Sequence, residues 1–382
     1  MTLPFRKAVF WVHLVVGVAA GIVILVMSAT GTLLMYERQI TEWADRGYRS
    51  APPSPGAAWL PVEVLVAQAL KTDSKAPPAS ITLQADPDAP AAVSLGRNRS
   101  VYINPYTGQI LGEGSKTVRA FFRKITDWHR WLGAQDERRD AARAVTGACN
   151  LGFLFLVLSG IYLWVPRIWT RRQFRNVLWF RRGLSSKARD FNWHNVFGSW
   201  AAIPLVLIVF SGVVISYPWA SNLVYRLAGE KPPERQGPPG GERRGSSEGQ
   251  PPLDGLDRAL AVAQRQVPEW RSLTLRLPSE ADAPLAFTIY QGQRGRPDLR
   301  AQLTVDRARG EVVRWEPYST QSRGQKLRAW LRWIHTGEAG GLPGQTVAGL
   351  ASASGALLVW TGLSLAWRRF FPRFGGKSHE ES

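Results

Sequence analysis

Four histidines stand where ligand chemistry is to be expected. His13 opens His13-Leu14-Val15-Val16-Gly17 and His194 opens His194-Asn195-Val196-Phe197-Gly198, each at the head of a long apolar run. Both runs reach a hydroxyl–glycine pair, Thr30-Gly31 and Ser211-Gly212, with 18 residues from His to Gly in each. Residues i and i+4 share a helix face, so each His also has a Gly one turn away, where a flat ligand can come close to the backbone. An ionisable side chain inside an apolar span is costly and is a functional-site hypothesis by default. Two of them at matching depth suggest one ligand gripped from both sides, and the flat ligand that imidazole grips is haem.

The other two candidates are His129, in Asp127-Trp128-His129-Arg130-Trp131-Leu132-Gly133, and His335, followed by Thr336-Gly337. His129 repeats the His-x-x-x-Gly spacing, and His335 departs from it. Two neutral imidazoles on one haem iron leave no open position, so such a centre transfers electrons and binds no substrate at iron. One haem does not cross a bilayer: the stretch from His194 to Gly212 alone rises about 27 Å as a helix. Two haems, one near each face, would form a relay, His13 with His194 and His129 with His335. Zinc fits poorly, because it takes four ligands and no Cys or acidic partner accompanies either pair. A proton relay would use the His13–His194 pair but leaves the other unexplained. An isolated His near a helix end is ordinarily an interfacial anchor; the repeated pattern of four favours haem. His379 lies in a polar tail and reads as solvated. Trp11, Trp128, Trp193 and Trp333 lie within two residues of the four histidines and read as an aromatic belt at the membrane surface. Arg123, Arg130, Arg328 and Arg332 are candidates to pair with haem propionates, lipid phosphate or water.

Elements able to position these residues are visible in the charge pattern. Ala8–Tyr36, Ala144–Pro166, Phe191–Tyr225 and Ala339–Trp367 contain no Asp, Glu, Lys or Arg, and a bilayer needs roughly 20 apolar residues. The first is too long for a signal peptide and has no small-x-small cleavage site, so it reads as an uncleaved span. The net charge is +19. Met1–Val9, Arg167–Asp190 and Arg368–Ser382 hold 14 Lys/Arg against 3 Asp/Glu, which places them and both termini in the cytoplasm. The basic excess is thus a topology signal, and no nucleic-acid partner is needed to explain it. The single cysteine, Cys149, falls in the second span and cannot form an intrachain disulfide.

The expected organisation follows. Transmembrane helices occupy 9–36, 144–166, 191–217 and 344–367. External helix-plus-sheet segments occupy 37–117 and 253–318. Interfacial helices at 118–133 and 324–337 carry His129 and His335. Residues 167–190 form a basic cytoplasmic loop, and 230–252, rich in Gly, Pro, Ser, Arg and Glu, a flexible one. Strands are expected at Ser80–Gln84, Ala91–Leu95, Ser100–Asn104, Ser272–Leu277, Pro284–Tyr290, Ala301–Asp306 and Glu311–Trp315. The second half echoes the first: Val305–Val312 aligns with Ile103–Ile110 at an offset of 202, and Thr361-Gly362 matches Ser159-Gly160. The fold class is membrane α-helical, a four-span bundle with two α+β external domains, internally duplicated; such repeats commonly hold a binding site at their interface.

The strand–turn–strand segments at Tyr102–Ile110 and Leu303–Val312 resemble the PepSY domain. With four histidines on four spans, nearly the whole chain resembles the PepSY-associated transmembrane family of bacterial iron-regulated inner-membrane proteins, in particular its ferric-siderophore (ferrioxamine) reductases. The resemblance implies two b-type haems with His13, His194, His129 and His335 as axial ligands, periplasmic PepSY-like domains, and reduction of an Fe(III)-siderophore. The electron donor implied is a quinol, a reduced flavin or a cytoplasmic reductase, since no Rossmann-type Gly-rich motif is present. Two other functions fit the same sequence: a haem-free membrane anchor restraining a periplasmic protease, and a quinol-linked cytochrome feeding another periplasmic enzyme. Neither external segment shows a stretch that reads as a substrate pocket.

Overall fold

The computed structural model describes residues 3–72, 78–96, 99–165, 170–233, 252–278, 280, 282–292 and 294–371. His379 and most of the Gly/Pro-rich loop at 230–252 lie outside them. In chain order the helices and strands are α1 (Leu3–Leu34), α2 (Glu37–Ala44), α3 (Val62–Thr72), β1 (Pro78–Gln84), β2 (Ala91–Leu95), β3 (Arg99–Ile103), β4 (Ile110–Glu113), α4 (Lys116–Trp131), α5 (Arg138–Trp164), α6 (Arg171–Leu178), α7 (Ser186–Ser216), α8 (Pro218–Leu227), α9 (Leu256–Gln266), β5 (Ser272–Arg276), β6 (Leu285–Tyr290), β7 (Arg300–Val305), β8 (Val312–Glu316), α10 (Arg323–His335) and α11 (Gly341–Phe370). The chain divides into two units: Met1–Met35, Lys124–Ser221 and Ile334–Ser382 form one, Tyr36–Arg123 and Asn222–Trp333 the other.

The first unit is a helix bundle. α1, α5, α7 and α11 are long and apolar enough to cross a bilayer. α1 packs on α5 and α11, and α7 packs on the same two, so α1 and α7 face each other across a diagonal. Small residues set the packing: Gly21 of α1 admits Leu363 of α11, and Gly152 of α5 admits Val16 and Ala20 of α1. Arg6 closes one end by donating to the carbonyls of Leu163 (2.5 Å) and Val165 (3.2 Å) at the end of α5. Gln345 Nε2 closes the other by donating to the Met35 carbonyl at 2.7 Å. Pro204 sits inside α7 without ending it. Three helices were not anticipated: α2, α8 and α6, the last within the basic loop and capped by Thr170 Oγ1, which accepts from the Gln173 N–H at 3.2 Å.

The second unit is one antiparallel sheet of eight strands in the order β4-β3-β2-β1-β5-β6-β7-β8. The two segments that read as separate domains in sequence are therefore halves of a single sheet. They join at β1 and β5, where Ile81 faces Leu275, Thr82 faces Thr274 and Leu83 faces Leu273; the two threonine hydroxyls lie 3.0 Å apart. Strand alternation sends Val93, Val101, Ile103, Leu273, Phe287, Ile289 and Leu303 to one face, where α3 and α9 cover them in one core. Each such side chain contributes roughly 1.5–3 kcal/mol on burial. The helices cap each other: Asp257 of α9 accepts from the Val62 N–H at 2.7 Å, and Glu63 of α3 accepts from the Asp257 N–H at 3.0 Å. The loops at Asn104–Gly108 and Asp306–Gly310 are alike: an acid or amide side chain accepts backbone N–H groups, and a glycine with φ of +72° or +70° closes the turn.

Candidate functional site

All four expected histidines lie in the helix bundle, and each is held in the same way by a buried hydroxyl of a neighbouring helix. His13 Nδ1 on α1 lies 2.8 Å from Ser159 Oγ on α5. His194 Nδ1 on α7 lies 2.9 Å from Thr361 Oγ1 on α11. His129 Nδ1 on α4 lies 3.0 Å from Thr30 Oγ1 on α1. His335 Nδ1 on α10 lies 3.3 Å from Ser211 Oγ on α7 and 2.9 Å from the Ile208 carbonyl.

The direction of these bonds follows from proton counting. A hydroxyl has one proton to give. Ser159 Oγ donates to the Phe155 carbonyl at 2.6 Å, Thr361 Oγ1 to Leu357 at 2.7 Å, Thr30 Oγ1 to Val26 at 2.6 Å and Ser211 Oγ to Leu207 at 2.7 Å, each one turn back along its own helix. Each oxygen is then left with lone pairs facing the imidazole, so Nδ1 must carry the proton and donate. The lone pair of every ring is therefore on Nε2, the nitrogen pointing away from the hydroxyl. This is the arrangement of a ligating histidine with its outer-shell acceptor in place.

A glycine completes each socket, always the residue after the hydroxyl. A Cβ at Gly160 would lie 3.6 Å from His13 Cε1, at Gly362 3.5 Å from His194 Cε1, at Gly31 3.3 Å from His129 Cε1, and at Gly212 3.2 Å from His335 Cε1 and 3.0 Å from Asn150 Nδ2. The imidazoles thus lie against helix backbone, which only a missing side chain permits. The sequence showed all four hydroxyl–Gly pairs but not their partners, since each pair serves a histidine of a different helix. The glycines one turn after the histidines do other work. Gly17 faces Leu156 and Gly198 faces Leu358, while Gly133 (φ +77°) turns beneath the Trp128 ring.

The sockets sort into two centres. Position along the helices pairs His13 with His194 and His129 with His335. The first pair projects from the diagonal helices α1 and α7. The second pair docks on those same two helices, at Thr30-Gly31 and Ser211-Gly212. His13 and Thr30 are 17 residues apart on α1, as are His194 and Ser211 on α7, so the centres are separated by about 26 Å along the bundle. Among the described residues no three His, Cys, Asp or Glu side chains converge. The donor sets are pairs of imidazoles, which match the two axial positions of haem and not the four ligands of a structural zinc.

The comparison with protein families agrees with this architecture: the model described as the PepSY-associated TM region matches residues 10–369. The chain belongs to the PepSY-associated TM region family. It is accordingly a multi-pass membrane protein. A search of curated proteins finds no match. In this PepSY-associated protein the two centres differ in their surroundings. Asp190, one turn before His194, is buried and bound by Ser364 Oγ (2.9 Å), Arg368 (3.1 Å) and Arg189 (3.0 Å). Asn150 and Ser352 instead flank the sockets of the second pair, near Gly212 and Gly31.

The arginines proposed as propionate partners spread along the two helices that carry the second pair. Arg123 and Arg130 lie on α4, and Arg328 and Arg332 on α10. Arg130 stacks over Trp131 and Arg332 over Trp333. Trp11 is covered by the Arg369 guanidinium, and Trp193 packs on Phe180 and Phe197. Two open hollows were not legible in sequence. One of about 390 Å³ lies between α3 and α9 of the sheet unit, rimmed by Trp59, Asp257 and Gln264. The other, about 650 Å³, is formed by Trp131–Arg138 directly after the helix that carries His129; Leu132 and Asp136 there have φ of +52° and +48°.

Proposed function

We propose that this protein is a di-haem b-type cytochrome of the bacterial inner membrane that reduces Fe(III) held by a siderophore of the ferrioxamine kind. The observation that carries the reading is the set of four imidazoles, each with Nδ1–H tied to a hydroxyl and Nε2 left as a lone pair, grouped as two diagonal pairs. The chain would be an internal duplication, each half supplying one ligand to each centre, with both termini cytoplasmic and the sheet unit periplasmic. His13 and His194 would hold the haem near the cytoplasmic face, and His129 and His335 the haem near the periplasmic face. Iron with two imidazole ligands supplies one-electron exchange with no substrate position. The residues do the rest. Ser159, Thr361, Thr30 and Ser211 orient the rings, Gly160, Gly362, Gly31 and Gly212 let them lie flat against the helices, and the apolar bundle excludes water from both centres. Electrons would come from a quinol, a reduced flavin or a cytoplasmic reductase, and one electron converts the Fe(III) chelate to Fe(II), which a chelator built for Fe(III) holds weakly.

The deciding experiment is an absorption spectrum of detergent-purified protein, oxidised and dithionite-reduced, with haem counted per chain. Two low-spin b-type haems support the reading, and oxidation of the reduced protein by ferrioxamine tests the substrate. A colourless protein that takes up no added haem would refute it and favour restraint of a periplasmic protease.

A further inference from the structure

We infer that Ser159, Thr361 and Thr30 are positioning residues that fix the electron-donating strength of His13, His194 and His129, and that at His335 this task passes largely to a main-chain carbonyl. The inference rests on the haem reading above but concerns the shell outside the ligands. Its basis is one juxtaposition found four times: imidazole Nδ1, a buried hydroxyl whose own proton is already committed one turn back, and a glycine beside it.

In three sockets the hydroxyl accepts from Nδ1–H at 2.8–3.0 Å, and at His194 and His129 the carbonyls of Leu358 and Met27 are further partners of the ring. In the fourth the hydroxyl is farther, at 3.3 Å, and the Ile208 carbonyl is nearer, at 2.9 Å. A carbonyl oxygen cannot be removed by a side-chain substitution. Losing the hydroxyl therefore has unequal consequences. At His13 it removes the acceptor of the ring proton; at His194 and His129 it removes the hydroxyl acceptor and leaves only the Leu358 or Met27 carbonyl; at His335 it leaves the closest acceptor, the Ile208 carbonyl, intact.

A hydrogen bond donated from Nδ1–H leaves more negative charge on the ring and makes Nε2 the stronger electron donor. A stronger donor favours ferric over ferrous iron. Deleting the acceptor should then raise the midpoint potential of the centre that the ring serves. Ser159 and Thr361 act on the His13–His194 centre. Thr30 and Ser211 act on the other, about 26 Å away, so each centre is an internal control for variants of the other.

The test is a redox titration of full-length protein in detergent, following both haems by absorption, for Ser159→Ala, Thr361→Val, Thr361→Ser, Thr30→Val and Ser211→Ala. Haem content and low-spin signature are recorded for each. Ser159→Ala and Thr361→Val should shift the same centre upward and leave the second unchanged. Thr361→Ser should restore the wild-type value, because it keeps the oxygen and loses only a methyl. Thr30→Val should shift the other centre upward by more than Ser211→Ala does. Loss of one haem in Thr361→Val with its return in Thr361→Ser also supports the inference. Midpoints unmoved in Ser159→Ala and Thr361→Val with both haems bound, or a Thr361→Ser value equal to that of Thr361→Val, would overturn it while leaving the cytochrome reading intact. A haem-free wild type would overturn both.

Discussion

Adding a single methyl group at each socket glycine tests whether the imidazoles lie where the structure puts them. The perturbation is Gly→Ala at positions 160, 362, 31 and 212. In a helix interior the change by itself is favourable, by about 1 kcal/mol. The methyl then meets the imidazole. At Gly160 and Gly362 it would lie 3.6 and 3.5 Å from Cε1, near the optimum for carbon–carbon contact. Those two variants should be neutral or slightly more stable. At Gly31 the distance is 3.3 Å, and at Gly212 it is 3.2 Å with Asn150 Nδ2 at 3.0 Å. Overpacking of this kind costs roughly 1–3 kcal/mol. At Gly212 relief is limited on both sides: His335 is held to Ile208, and Asn150 donates to the Val209 carbonyl at 3.2 Å. A net difference of about 2 kcal/mol between Gly212→Ala and Gly160→Ala follows, equivalent to roughly 30-fold in ligand affinity. Haem retention against an excess of a haem-scavenging apoprotein, read for each centre from the spectrum, reports the affinity. Thermal melting of the same samples reports the packing independently of haem. The order of damage should be Gly212, Gly31, then Gly362 and Gly160 together. Equal losses at all four positions, or Gly160→Ala as harmful as Gly212→Ala, would refute the socket geometry.

Three further outcomes are expected. His13→Ala or His194→Ala should remove the low-spin signature of one haem and leave the other, and a His13→Ala, His129→Ala double variant should lose all ferric-siderophore reduction; full activity there would end the relay. In the sheet unit, Asp45 is buried yet accepts hydrogen bonds from Arg119, the Ser115 N–H (2.7 Å) and the Tyr102 hydroxyl (3.0 Å). Burial raises its pKa, but these donors prevail and hold it below the ordinary carboxylate value, while burial and the Asp45 charge push Tyr102 up to about 12. A depressed carboxylate stabilises the fold above its unfolded pKa, about 4, and that stabilisation is lost as pH falls through the folded value. Thermal melts of wild type should therefore drop below about pH 4, and Asp45→Asn should flatten that limb while costing stability at neutral pH, toward the low end of roughly 3–5 kcal/mol because Arg119 stays partly solvated. Finally, Asp190→Asn should destabilise the bundle by leaving the half-buried Arg368 without its carboxylate, and Ser364→Ala, which keeps that charge pair and loses one hydrogen bond to a charged group, should cost about 1.5–3 kcal/mol; a loss in Ser364→Ala larger than in Asp190→Asn would contradict this ranking.

The sequence by itself determined the spans, the strands and the ligand candidates. A bilayer imposes a length of uncharged chain, and a half-buried strand imposes alternation, so α1, α5, α7 and α11 and most of β1–β8 were legible within a few residues. The helices hidden in it were α2 and α6, with no apolar run to mark them, and α8, which continues the uncharged stretch of α7 past Tyr217. The four histidines were legible because an ionisable group beside an apolar span stands out against its surroundings. What only the tertiary structure decided was which residue serves which. Thr30-Gly31 follows His13 on one helix and read only as a spacing matched by Ser211-Gly212, yet it holds His129, because 17 residues of helix carry it to the other end of the bundle. Ser159-Gly160 and Thr361-Gly362 read only as a repeat; they became sockets once α5 and α11 packed beside α1 and α7. The two sheet segments likewise read as separate domains, since each has its own helix and turns. Their union depends on β1 and β5 pairing edge to edge across some 190 residues of chain. Periodicity records the face that each element buries, but the partner on the far side of that face is chosen only when the elements pack.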